Sequence, residues 1–229
     1  MKPNDFYQMK KYIIFLLIAF TLASCGPGKY MTSEISRYDI SKVTIFEPVT
    51  YISYIEAGKM NRMEYSDSLT YMASYNLLTG VSEYLSDYYL VDLLYLDSTS
   101  RELVFHQIDQ MMGYAGSSYE VEEIPFPPSL DSLMWINNID YGVCILHTGF
   151  ARQKKNYRRQ LALRVLMEVF ADVAVYPTRA VSELRIVILD RKNQKVAFYN
   201  SHVGDDHDPY FKPVTDQQIQ RIFRKFFKQ

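Results

Sequence analysis

Cysteine is nearly absent. The 229-residue chain has two, Cys25 and Cys144, too few for the disulfide framework that staples small exported domains. Long apolar runs are absent as well. The main one, Tyr12 to Phe20, falls well short of the ~20 residues that a spanning helix needs. Charge of one sign is not in excess: 25 Lys and Arg face 26 Asp and Glu, which speaks against a nucleic-acid binder, since such proteins are basic overall. There is no Gly-x-Ser-x-Gly elbow, no glycine loop of the phosphate-cradling kind, no internal repeat and no low-complexity segment. These absences remove the easily read enzyme classes and leave a chain that must fold on its apolar core alone.

What is present begins at the N-terminus. Lys10 and Lys11 precede the apolar run, and Leu22-Ala23-Ser24-Cys25 closes it. A basic start, a short apolar core and small residues at the end are a secretory signal. Met1 to Gln8 is polar and carries Asp5, which suits such a signal poorly, whereas Met9-Lys10-Lys11 is an ordinary beginning. Met9 is the expected start, the other reading being a tolerated extension. The cysteine directly after Leu-Ala-Ser resembles the lipobox of bacterial lipoproteins. That resemblance implies that residues 1–24 are removed as a signal peptide. It also implies that Cys25, acylated with palmitate-type chains, becomes the first residue of the mature protein. One acyl chain holds only marginally; such lipoproteins carry several, so the implied anchor is firm. Gly26 stands where an aspartate would mark inner-membrane retention, and no acidic run of the surface-display kind follows. The expected address is therefore the outer membrane, with the domain facing the periplasm.

Residues 25–36 read as the lipidated cysteine and a flexible tether, with Gly26, Pro27 and Gly28 at its start. Residues 37–229 read as a single α+β domain. Loss of Lys2, Lys10, Lys11 and Asp5 with the signal leaves 22 basic against 25 acidic residues, a net charge of −3. Cys144, in Tyr-Gly-Val-Cys-Ile-Leu, has no disulfide partner once Cys25 is acylated and reads as a buried small hydrophobe.

The apolar patterning orders the elements. Val43 to Tyr54 is β-branched and apolar, a strand with Pro48 at a bend or an edge. From Ser66, apolar residues three and four apart up to Leu85 predict an amphipathic helix with Ser66 as N-cap. Tyr88 to Leu96 reads as a strand and Arg101 to Met112 as a helix ended by Gly113 and Gly116. Tyr119 to Glu122 alternates like a short edge strand, within an ambiguous stretch. After the extended Ile124-Pro125-Phe126-Pro127-Pro128, a short helix is expected over Ser129 to Asn138. Tyr141 to Phe150 is a strand. Leu161 to Tyr176 has every odd position apolar as far as Val175, which predicts another strand. Its charges Arg164, Glu168 and Asp172 also recur every four residues, as on a helix. Leu184 to Leu189 and Val196 to Tyr199 form a hairpin, with Asn193 at the left-handed turn position. A last helix is expected from Thr215 or Asp216, with the stripe Ile219, Ile222, Phe223, Phe226 and Phe227.

Two segments stand out in this order: the aspartate-led strand Asp140-Tyr141-Gly142-Val143, and a strand ending in Asp190-Arg191-Lys192-Asn193-Gln194 before its return. With the lipobox, the tether and a strand followed by a helix, they make the chain similar to a broad group of bacterial envelope lipoproteins. The group includes curli-secretion-channel-like (CsgG-like) proteins, penicillin-binding-protein activators and transport-auxiliary lipoproteins. The resemblance implies an accessory or assembly role; some members form rings. Long alternating hairpins of the kind a pore-forming member inserts are not apparent in this sequence.

The candidate sites are few. Arg152, Lys154, Lys155, Arg158 and Arg159 lie between two expected strands, a hairpin tip that would meet an acidic partner, an anionic polymer or lipid headgroups. A solvated tip that keeps an edge from pairing is the plainer reading. His202, Asp205, Asp206, His207 and Asp208 form a ligand-rich loop without any known metal spacing; a solvated turn explains them as well. Tyr84, Tyr88, Tyr89 and Tyr95, and more weakly Trp135, fit either an interface or a core margin. His147 and His106 stand alone, and a Ser-His-Asp arrangement is not ruled out by spacing. The expectation is a non-enzymatic, cofactor-free envelope accessory protein. It is held to the membrane by its lipid and binds an unidentified envelope protein or further copies of itself, and no nucleic acid. An oligomeric secretion or transport component is the second reading, a metal-dependent hydrolase the third.

Overall fold

The computed structural model describes residues 30–33, 37–57, 62–171 and 177–227. The expected signal segment, the expected lipobox residues Leu22, Ala23, Ser24 and Cys25, and most of the expected tether lie outside them. The strands are β1 (Tyr30–Thr32), β2 (Lys42–Phe46), β3 (Val49–Ile55), β4 (Glu64–Tyr65), β5 (Leu90–Leu94), β6 (Tyr141–Arg152), β7 (Ala180–Asp190) and β8 (Lys195–Asp205). The helices are α1 (Asp67–Ser86), α2 (Ser98–Ser117), α3 (Pro128–Ile136), α4 (Lys154–Ala171) and α5 (Lys212–Phe227). The fold is α+β, as expected.

The strands form one open mixed sheet in the order β1-β8-β7-β6-β2-β5, with β3 beside β6 and β4 beside β3. From β6 through β7 and β8 to β1, each neighbour is antiparallel. On the other side of β6, β2 and β3 both run parallel to it. They act as one strand interrupted at Glu47-Pro48. Ile45 faces Val143 and Val49 faces Leu146, so one strand takes an extra residue over the same length. Proline has no N–H for the ladder, and a bulge lets the strand carry it.

Side-chain alternation sends the sheet into two cores. Val143 and Ile145 of β6 and Leu184, Ile186 and Ile188 of β7 face Leu77, Val81 and Leu85 of α1 and Ile219, Ile222 and Phe223 of α5. Cys144, Leu146, Val187 and Leu189 face the other way, onto Val104, Ile108, Met111 and Met112 of α2 and Leu130 and Met134 of α3. Each fully buried Leu or Ile stabilises by roughly 1.5–3 kcal/mol, so helices of modest amphipathicity are held by the sheet rather than by propensity.

Several expectations are corrected. The segment from Leu161 is a helix through Ala171 and not a strand, and 172–176 lie outside the described residues; β6 already has β7 on one side and β2 and β3 on the other, so the expected hairpin partner of β6 would find no open edge on it. α2 runs through Gly113 and Gly116, because its buried face continues to Ala115. The stretch near Tyr119 is no strand: a 3-10 turn covers Val121–Glu123. In the β7–β8 turn the left-handed residue is Gln194 (φ 53°), not Asn193. α5 starts at Lys212, ahead of the expected caps; the Thr215 hydroxyl donates back to the Lys212 carbonyl, and Lys212 pairs with Asp216.

Candidate functional site

The basic run sits where β6 gives way to α4, so it is a strand end and a helix start rather than a hairpin tip. Its members separate. Arg152 is buried and donates from Nε to the Thr178 carbonyl (3.2 Å) and from a terminal nitrogen to Asn156 Oδ1 (2.9 Å). Asn156 in turn donates to the Glu56 carbonyl, Gln153 N–H to the Ile55 carbonyl, and Ala57 N–H to Gln153 Oε1. These bonds clamp the ends of β3 and β6 to the first turn of α4. Burial lowers the Arg152 pKa, but the group stays charged. It is a structural residue, and the contact role expected for it is withdrawn. Lys154, Lys155, Arg158 and Arg159 are exposed. None of the four has an ion-pair partner among the described residues, and α4 has no acidic residue in its first turn.

The presumed polar loop from His202 is the end of β8. His202 Nε2 accepts a hydrogen bond from Arg221 at 2.9 Å; burial and that cation both hold its pKa below the usual value. A nitrogen lone pair committed to a guanidinium is not offered to a metal. Asp206 adopts φ 61° and accepts the Arg179 N–H, and Asp208 pairs with the Arg179 side chain at 3.2 Å. His207 follows Asp206 in the turn, and the Asp205 side chain is outside the described ones. Among the described residues no three His, Cys, Asp or Glu side chains converge in a metal-like group.

A Ser-His pair that spacing alone left open does form, in the core. His147 Nε2 lies 2.8 Å from Ser182 Oγ. The Ser182 hydroxyl gives its proton to Gln218 Oε1 (3.0 Å), and Gln218 Nε2 donates to the Ser182 carbonyl (3.1 Å). His147 is therefore the donor to Ser182, and burial drops its pKa to about 4. A serine that receives a proton from histidine is not being activated by it, and all three side chains are buried. This network joins β6, β7 and α5. The Cys144 thiol is also buried, its pKa raised by desolvation.

Three of the four tyrosines pack against aromatic or backbone groups, Tyr84 half-buried, Tyr89 buried and Tyr88 lying over Phe227 with about half of its surface exposed. Tyr88 stacks on Phe227 at 3.8 Å, Tyr84 on Phe223 at 5.5 Å, and Tyr89 is buried with its hydroxyl donating to the Arg37 carbonyl. They seal α1 against the end of α5; Tyr95 and Trp135 remain exposed. The outward aromatics of α1, Tyr71 and Tyr75, escaped the sequence reading although they are one helical turn apart. At the far end of the sheet from α4, Asp39, Lys42, Asp140, Tyr141 and Lys192 line a cleft. The two aspartate segments meet there: Arg191 N–H donates to the Asp140 carbonyl, and Tyr141 pairs with Asp190.

No family model matches the chain, and no curated protein matches it. Solved structures do, remotely. A PelC dodecamer from Paraburkholderia phytofirmans is 9% identical over 86% of this chain and 95% of that one, with a TM-score of 0.37. Lipoprotein GNA1162 from Neisseria meningitidis is 12% identical over 82% and 99%, with a TM-score of 0.33. The LpoB C-terminal domain from Salmonella enterica is 5% identical over 76% and 87%, with a TM-score of 0.31.

Proposed function

We propose that the chain is an outer-membrane-anchored lipoprotein, facing the periplasm, that works without catalysis as an accessory or assembly protein through contacts with other envelope proteins. The observation that carries the anchor is Leu22-Ala23-Ser24-Cys25 at the end of a basic and then apolar leader. The first described strand, β1, begins five residues after Cys25, which suits a domain held close to its anchor. A contact role is supported by unburied aromatic and aliphatic side chains: Tyr71 and Tyr75 on α1, and Trp135 and Ile136 at the end of α3.

The test is Cys25→Ser in cells. The parent chain takes up labelled fatty acid and fractionates with the outer membrane. The variant loses the label and leaves the membrane. A variant that still fractionates with the outer membrane, or a parent without acyl label, ends the anchor reading. Crosslinking of the lipidated protein, read by mass spectrometry, tests the second half: a discrete partner supports the accessory role. One feature favours self-assembly instead. β5 is an edge strand with Leu90 and Leu93 exposed, and such edges are templates for pairing with another chain. A ladder of self-multiples in the same crosslinking experiment would move the proposal to an oligomeric transport component.

A further inference from the structure

The outward face of α4 has a definite composition. At about 100° per residue, Lys154, Arg158, Lys155 and Arg159 fall in one arc, Ala162 lies within it, and Leu161 and Leu163 border it on either side. All seven are exposed, whereas Asn156, Tyr157, Gln160 and Arg164 on the opposite side are buried or half-buried. No carboxylate interrupts the arc. The cations stand at the N-terminal end of the helix, where the macrodipole opposes positive charge. Local helix stability therefore does not account for them. A basic arc bordered by leucines is the composition of a helix lying on an anionic membrane surface.

Chain direction says which surface is near. β1 pairs antiparallel with β8, Thr32 opposite Phe198 and Tyr30 opposite Asn200. Traced backwards, the chain heads toward the Asp205 end of β8, which lies beside Val181 and so beside the start of β7. Ala180 faces Ala151 across β7 and β6, next to the root of α4. Three adjacent strands, about 5 Å apart, thus bring the direction of the anchor and the basic arc to the same end of the sheet. The five residues from Cys25 to Tyr30 span at most about 18 Å, so the bilayer stays near the body.

We infer that the exposed face of α4 is a membrane-contact site. Lys154, Lys155, Arg158 and Arg159 bind anionic phospholipid headgroups of the bilayer that holds the anchor, and Leu161 and Leu163 dip into its interface. This rests on the Cys25 reading, and it sets an orientation: the α4 end faces lipid, while the Lys192 end, with its cleft and Trp135, faces away toward protein partners.

The experiment uses the full-length protein purified from membranes, its acylation checked by mass. A fluorophore is attached at Leu163→Cys, or at Lys192→Cys for comparison; Cys144 is buried and stays unlabelled. The protein is reconstituted in vesicles of phosphatidylcholine with phosphatidylglycerol, or phosphatidylcholine alone, each carrying spin-labelled lipid. The Leu163 label is expected to shift to the blue and to be quenched several-fold more than the Lys192 label, and only with phosphatidylglycerol present. Lys154→Glu, Lys155→Glu, Arg158→Glu and Arg159→Glu together abolish that difference while the protein stays folded and on the vesicles. Equal quenching at both ends, or quenching indifferent to charge reversal, overturns the inference and returns the arc to an acidic protein or polymer partner. A mass without acyl chains sinks the anchor reading separately; in that case the same label and vesicles read α4 alone, and an unshifted Leu163 emission overturns this proposal too.

Discussion

The two ends of β6 handle charge in opposite ways. At the Tyr141 end, the buried Asp190 carboxylate accepts the Asn193 N–H on one oxygen (3.0 Å) and the Asn193 side-chain amide on the other (2.8 Å). Arg191 beside it donates to the Ile139 carbonyl and lies 3.4 Å from Asp140. Charge there is consumed by the turn. At the other end Arg152 is consumed in the same manner, yet the next four cations are left outside and unpaired among the described residues. Charge folded inward with its hydrogen bonds made builds the architecture. Charge placed outward, against a helix dipole, has to be explained by what lies beyond the surface.

That contrast can be pressed by measurement. The largest effect belongs to His147, beneath the α4 end. Its native pKa, about 4, lies below the usual 6.5, so the unfolded chain binds a proton first as pH falls. Its contribution is complete above pH 6.5, declines between 6.5 and 4, and is exhausted below; the loss is on the order of 3 kcal/mol. Urea unfolding at pH 7 and pH 4.5 measures it, and His147→Gln should show a smaller drop than the parent. Next comes Asp190→Ala, which strips a buried turn of its acceptors and should cost about 2–3 kcal/mol by urea midpoint. Arg152→Ala leaves the Thr178 and Asn156 groups without their donor and should cost about 1–2 kcal/mol. Charge reversal at Lys154 or Arg158 comes last, within about 0.5 kcal/mol of the parent in thermal melts. A large loss there would erase the distinction between the two ends.

Much of this architecture could be read from the chain because burial on one face leaves a period. The stripe Ile219, Ile222, Phe223 and Phe226 announces α5, and the apolar strands around Val143 and Ile186 announce the centre of the sheet. The failure at Leu161 has the same root. A segment that is apolar at nearly every position satisfies both periods, and only the pairing of β6 with β7, a non-local fact, decides between them. The site was half legible. Lys154, Lys155, Arg158 and Arg159 stood out by composition, but nothing local separates Arg152 from them; its burial comes from Thr178, which follows it by a whole helix. Ser182, the partner of His147, and Gln218, which Ser182 bonds in turn, were beyond reach for the same reason.

β1 has one more implication. It is three residues long and held at the sheet margin by Ser33 N–H on the Ala197 carbonyl and by Met31 in the core. Short terminal strands of this kind open at low free energy. When it opens, the next described residues are Arg37 to Asp39, where Arg37 is bonded to the Phe227 carbonyl. The chain between Cys25 and the first held residue then grows in reach from about 18 Å to about 43 Å at full extension. Under the proposed lipid anchor at Cys25, the strand would act as a latch on tether length: closed, it holds the body against the membrane, and open, it lets the body search a volume roughly an order of magnitude larger, since volume grows as the cube of reach.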